Sequence, residues 1–267
     1  MLRPLRLTGL PLAIIGALVL AVAAWLVVQP AAQAADAAAP AEIEAPDPME
    51  PTFLTEGEPA APVTDALTLP EGGTPILTVR DGETVDLRSS PGGDVVTQLS
   101  SRTEFDSPTV LSVAERRGNW AGVPTQLLPN GELGWVRLDD KALSIDSVGV
   151  EIVVDLSDME AELLRDGKVE HSWVIGIGAP ESPTPTGRFS ITDAIEGGLN
   201  PVYGCCALAL SATQPNLPPG WTGGNRMAIH GGTTGVAASI GCVRSADEDL
   251  QLLLDRVPLG TPVTIQD

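Results

Sequence analysis

A histidine and a cysteine stand 12 positions apart, His230 and Cys242, in the glycine-rich run Ala-Ile-His-Gly-Gly-Thr-Thr-Gly-Val-Ala-Ala-Ser-Ile-Gly-Cys-Val-Arg over residues 228–244. A free thiol has a pKa of roughly 8.5 and needs a neighbouring base before it attacks at neutral pH. His230 is the available base. Gly241, directly before Cys242, lets the backbone bring amide N–H groups close to a reacting carbonyl, as an oxyanion hole requires. These residue types suit acyl transfer through a covalent thioester. Taken as a pair alone, they equally fit a buried cysteine and a satisfied histidine in a small-residue turn.

The whole string is more specific than the pair. Ile229-His-Gly-Gly232 followed by Ser239-Ile-Gly-Cys-Val-Arg244 resembles the L,D-transpeptidase family, whose catalytic domain is YkuD-like; its pattern is His-Gly-Thr, a spacer, then Ser/Thr-x-Gly-Cys-(Ile/Val)-Arg. Three positions depart from it. The spacer is shorter than usual, Ile240 stands where His is common, and Gly232 replaces the Thr. The resemblance implies that Cys242 is the nucleophile, that His230 moves the proton, and that the Gly231 carbonyl orients the imidazole. It makes the backbone N–H groups of Gly241 and Cys242 the oxyanion donors. Ser239 ties the turn, and Arg244 holds the loop or meets a substrate carboxylate, for which its planar fork is suited. A Tyr-Gly strand lines the family's cleft, which makes Tyr203 of Tyr203-Gly204 a substrate-binding candidate.

The elements that must position these groups read as mostly β. Formal net charge is −20, which argues against a nucleic-acid partner. Aromatics are 3% of residues while Gly and Pro number 28 and 24, a balance that favours small turn-rich β domains. With two His and three Cys, and no cluster at ligand spacing, neither a metal nor another cofactor is implied.

Residues 1–29 read as a membrane anchor or signal peptide. Arg3 and Arg6 precede an uncharged run over Leu7–Val28, long enough for the ~30 Å hydrocarbon core and longer than the usual signal-peptide apolar run. A retained anchor is the favoured reading, with cleavage after Ala32-Gln33-Ala34 as the alternative. The positive flank puts everything after it outside the cytoplasm, in a periplasm or cell wall. Residues 30–72 hold eight Pro, nine Asp or Glu and no Lys or Arg, which reads as a disordered linker reaching on the order of 100 Å.

Residues 73–145 carry short alternating strands and turn dipeptides. Val85-Asp-Leu-Arg88, Trp120 and Gly134-Trp-Val136 resemble a bacterial SH3-like domain, a small β-barrel, with Asn130-Gly131 as a hairpin turn. Its tryptophans are either a wall-binding surface or core.

Residues 148–267 form the catalytic domain, β-rich with one short helix near Ala246–Asp255. Thr184, Pro185, Gly187 and Phe189 match a Thr-Pro-x-Gly-x-Phe feature of the resembled family. His171 reads as a solvated strand residue. Cys205 and Cys206 read as two small residues packed in a strand, with a redox pair as the alternative. The implied activity is peptidoglycan cross-linking between peptide stems, with carbapenem acylation of Cys242. Hydrolysis at the same site, as an L,D-carboxypeptidase, or a non-catalytic wall-binding protein are the alternatives.

Overall fold

A computed structural model describes residues 69, 70 and 72–267. The expected anchor over 1–29 and nearly all of the expected linker over 30–72 lie outside the described residues. Among the described residues no helix is long and apolar enough to cross a membrane.

The first module pairs eight strands into two antiparallel sheets: β1 (Thr74–Val79), β2 (Thr84–Arg88), β3 (Val95–Ser100), β4 (Val110–Ser112), β5 (Glu115–Arg117), β6 (Trp120–Pro124), β7 (Leu133–Arg137) and β8 (Leu143–Val148). The order is β3-β2-β7-β6-β5 in one sheet and β4-β1-β8 in the other. Period-2 alternation turns Val85 and Leu87 inward onto Leu77, Val79, Val123 and Val136. Two strands escape sequence reading. β5 is Glu-Arg-Arg, folded back on β6 by Gly118 at φ +58. β8 is polar through Ser144, Asp146 and Ser147, yet pairs with β1 along its length and carries this module to Val148. Asn130-Gly131 is not a two-residue hairpin turn either; it closes an eight-residue loop between β6 and β7. Trp135 is buried with the Arg117 guanidinium 4.7 Å from its ring centroid.

One residue, Gly149, separates β8 from the second module. That module holds β9 (Val150–Asp155), β10 (Glu160–Arg165), β11 (Lys168–Val174), β12 (Ile177–Gly178), β13 (Gly187–Ile195), β14 (Ala207–Thr213), β15 (Arg226–Gly231), β16 (Ala237–Ser239), β17 (Val243–Ser245), α1 (Asp247–Arg256) and β18 (Pro262–Gln266). Eight of these make one sheet, ordered β11-β10-β9-β18-β13-β14-β15-β17, and β12 pairs with β16 beside it. The architecture is mostly β with a single short α-helix among the described residues. Central β14 is buried along almost its whole length, which is why Ala-Leu-Ala-Leu-Ser-Ala-Thr reads without alternation. α1 starts with Asp247, Glu248 and Asp249, which suit the positive end of its dipole, and packs Leu250 and Leu253 into the core.

His171 corrects an expectation. Its Nε2 lies 2.9 Å from Asp249 Oδ1, and its ring stacks on Trp173 with centroids 5.5 Å apart. The cause is the fold: β11 is an edge strand, and it brings the imidazole within reach of a carboxylate in α1's acidic first turn. Cys205 and Cys206 are joined by a disulfide, which replaces the reading of two independent packed thiols.

Candidate active site

His230 lies at the end of β15, next to its last residue, and Cys242 directly precedes β17; the two strands are neighbours paired in parallel with Ile229 opposite Val243 and His230 opposite Arg244. Both side chains line one cleft of about 470 Å³, together with Tyr203, Ser239, Ile240 and Arg244. His230 is 5% exposed, and its Nδ1 lies 2.8 Å from the Gly231 carbonyl oxygen. A carbonyl only accepts, so the neutral ring carries its hydrogen on Nδ1 and keeps the lone pair on Nε2. Among the described residues Nε2 has no protein partner. Burial pushes the His230 pKa down, opposed by the Gly231 hydrogen bond and reinforced by the nearby Arg244 charge. Burial pushes the Cys242 thiol up, opposed by the Ala228 backbone and again by Arg244. Both shifts favour uncharged forms. The pair therefore rests at neutral pH as thiol and imidazole rather than as thiolate and imidazolium.

The turn that presents Cys242 is tied from three sides. Ser239 Oγ donates to the Cys242 carbonyl at 2.6 Å and accepts from Gly241 N–H at 3.1 Å. Thr184 Oγ1 donates to the Gly241 carbonyl and accepts from Gly178 N–H, both at 2.8 Å. Gln214 Nε2 reaches the carbonyls of Pro183 at 2.9 Å and Ile240 at 3.4 Å. Gly241 has φ +98, and a Cβ there would stand 2.0 Å from Gln214 Nε2, so any other residue would strain the backbone and displace Gln214. This arrangement corrects the oxyanion assignment. The Gly241 N–H is spent on Ser239, while the Cys242 N–H has no protein partner among the described residues.

Tyr203 ends a 3-10 turn, Pro201–Tyr203, capped by Asn200, whose Oδ1 accepts from Val202 N–H at 3.1 Å. Its ring meets the His230 imidazole edge to face, centroids 4.9 Å apart. Backbone proximity makes this possible. A Cβ on Gly204 would come within 2.6 Å of Gly231 Cα, and the Asp247 carboxylate sits against both glycines while accepting from Cys205 N–H at 3.2 Å. Arg244 lays its aliphatic stem over Gly232, where an added Cβ would stand 2.8 Å from its Cδ. The glycine in place of Thr thus makes room for the arginine. Its guanidinium has no hydrogen-bond partner among the described residues.

Residues 149–265 match the model of YkuD, the L,D-transpeptidase catalytic domain. The Bacillus subtilis protein YqjB, itself provisionally designated an L,D-transpeptidase, is 30% identical over 129 residues, which cover 43% of this chain and 70% of YqjB. The chain belongs to the L,D-transpeptidase family. Among solved structures it is similar to an L,D-transpeptidase from Mycobacterium smegmatis (15% identity, 58% of this chain and 80% of that one, TM-score 0.39). It is also similar to L,D-transpeptidase 3 from Mycobacterium tuberculosis in complex with a faropenem-derived adduct (16% identity, 51% and 73%, TM-score 0.37). The catalytic domain of the E. faecium L,D-transpeptidase is a third (25% identity, 44% and 96%, TM-score 0.32). With TM-scores below 0.5, these likenesses do not bear on the family assignment.

In this member of the family the sequence candidates Cys242, His230, Gly231, Ser239, Gly241, Arg244 and Tyr203 all fall at one place. Three contributors were not legible. Thr184 stands in a recognisable motif, yet nothing in the chain says that it bolts the cysteine turn 57 residues away. Gln214 and Asp247 act through contacts that only the fold creates, and no local pattern marks them.

Proposed function

We propose that this L,D-transpeptidase cross-links peptidoglycan peptide stems through an acyl-enzyme on Cys242. The observation that carries the reading is the His230 tautomer. Its Nδ1–H is held by the Gly231 carbonyl, which leaves a basic Nε2 in the cleft that also holds the thiol. In the first half-reaction the Cys242 sulfur attacks the carbonyl of the third residue of a donor tetrapeptide stem, and His230 Nε2 takes the thiol proton as the bond forms. The Cys242 N–H meets the developing oxyanion. The C–N bond to the terminal D-Ala then breaks, and His230 returns the proton to the leaving amine. In the second half-reaction an amine on a neighbouring stem attacks the thioester, loses its proton to His230 and expels the Cys242 sulfur, which regains that proton. Because both groups rest uncharged, proton transfer accompanies attack rather than preceding it. Arg244, with its guanidinium unengaged, is suited to a stem carboxylate.

The same chemistry opens a strained β-lactam carbonyl, so a carbapenem should leave a thioester on Cys242. The uncharged, basic-flanked N-terminus and the acidic linker support work outside the cytoplasm from a membrane anchor. The first module, with its SH3-like pattern, stands between that anchor and the catalytic domain.

Incubation with disaccharide tetrapeptide, read by mass, tests the reading. Cross-linked dimer with release of D-Ala is expected. Release of D-Ala without dimer would make water the acceptor and the protein an L,D-carboxypeptidase. Cys242→Ala should abolish both while the fold persists, and wild-type turnover in a folded Cys242→Ala variant would end the mechanism.

A further inference from the structure

The cleft around Cys242 is not walled by the family-matched residues alone. Phe105, from the loop joining β3 to β4 in the first module, lines it too. That loop is fastened to the second module by two adjacent residues, Thr103 and Glu104. Thr103 Oγ1 accepts from the N–H groups of Phe105 at 3.3 Å and Ser107 at 3.2 Å, and donates to the carboxylate of Asp193, which is fully buried. The next residue, Glu104, accepts from Arg226. Arg226 also donates to Thr192 and Asp193 and lies with its guanidinium 6.0 Å from the Phe105 ring centroid. The ring is therefore positioned through Thr103 and Arg226, yet it remains 44% exposed. Trp221 and Leu217, on the segment between β14 and β15, line the same cleft at 40% and 37% exposure. Anchored but uncovered aromatic surface beside a reaction centre is binding surface.

Charge decides what it binds. Arg226 is consumed by Glu104 and Asp193, so the Phe105 end of the cleft offers no free cation for a stem carboxylate. The unengaged cation is Arg244, beside Cys242. Carboxylates belong there, and the Phe105 end suits a neutral group with C–H-rich faces, which the negative face of an aromatic ring attracts. On the reading that the donor is a disaccharide-linked stem, we infer that Phe105 is a specificity-determining residue that stacks on a sugar ring of the donor, so that the first module completes the glycan end of the substrate cleft.

The test compares two donors, disaccharide tetrapeptide and the sugarless tetrapeptide, on the wild-type chain, Phe105→Ala and Phe105→Tyr. Phe105→Ala should raise KM for the disaccharide donor about tenfold with kcat kept within about twofold. It should leave the sugarless donor unchanged, and Phe105→Tyr should restore the wild-type KM. A change shared equally by both donors would mean a general structural effect and would overturn the inference, as would no change with either. Wild-type protein that consumes neither donor would instead sink the proposed function, and this inference with it.

Discussion

His230 and Cys242 are tuned against charge, and that has a pH signature. The His230 pKa lies below its ordinary value of about 6.5 because burial disfavours the imidazolium. The basic form should therefore persist below that pH, and the acid limb of Cys242 acylation by a carbapenem should fall below pH ~6.5. A limb at or above 6.5, measured by intact-protein mass across the pH range, would contradict this. Stability follows the same sign. The unfolded chain takes up the His230 proton first as pH falls, so folding loses free energy between about 6.5 and the lower folded value, and not above it. The thiol moves the other way: burial raises it. Cys205 and Cys206 are joined, so Cys242 is the free thiol among the described residues. Its alkylation by iodoacetamide should keep rising towards and beyond pH 9 instead of levelling near neutrality. His230→Ala should slow acylation by about 10²–10⁴-fold, the usual contribution of a positioned base.

At the scale of elements, the site is a junction between a short parallel strand pair and the loop that precedes β13. Thr184→Val removes a hydroxyl that satisfies both Gly178 N–H and the Gly241 carbonyl, and should cost about 1–3 kcal/mol. Thermal unfolding checks the stability loss. A larger loss in acylation rate than in stability is expected, because the cysteine turn shifts before the fold fails. Gly241→Ala meets a positive φ and Gln214 together, and should cost at least about 1–3 kcal/mol. Much of this was legible in the chain. Alternation in Val150–Asp155, the Asp166-Gly167 turn with both φ values positive, and the acidic start of α1 are local signals that the fold obeys. Polar β8 and charged β5 were not legible, because cross-strand pairing decides them and propensity does not. The catalytic string was legible as a motif. Its supports were not, since Thr184, Gln214 and Asp247 meet it only across the fold.

At the scale of the molecule, the two modules share more than the one-residue link at Gly149. Asn130, which sequence alone assigns to a hairpin turn, donates to the Thr213 carbonyl at 2.7 Å and accepts from Thr213 N–H at 3.0 Å. Ile76, Val110 and Val148 of the first module cluster with Leu259 of the second. Asn130→Ala should therefore lower the melting temperature by a few degrees, about 1–3 kcal/mol, within a single transition covering both modules. Two separated transitions in the wild-type chain would show the modules to be independent. The link between modules also bears on how this protein should be targeted. A recombinant piece starting at Gly149 would retain His230, Cys242 and the whole family match. It would lack Phe105, and the Asp193 carboxylate would lose its Thr103 donor. Compounds ranked for potency against such a piece would be ranked against a cleft missing one of its walls, and their order need not survive on the intact protein.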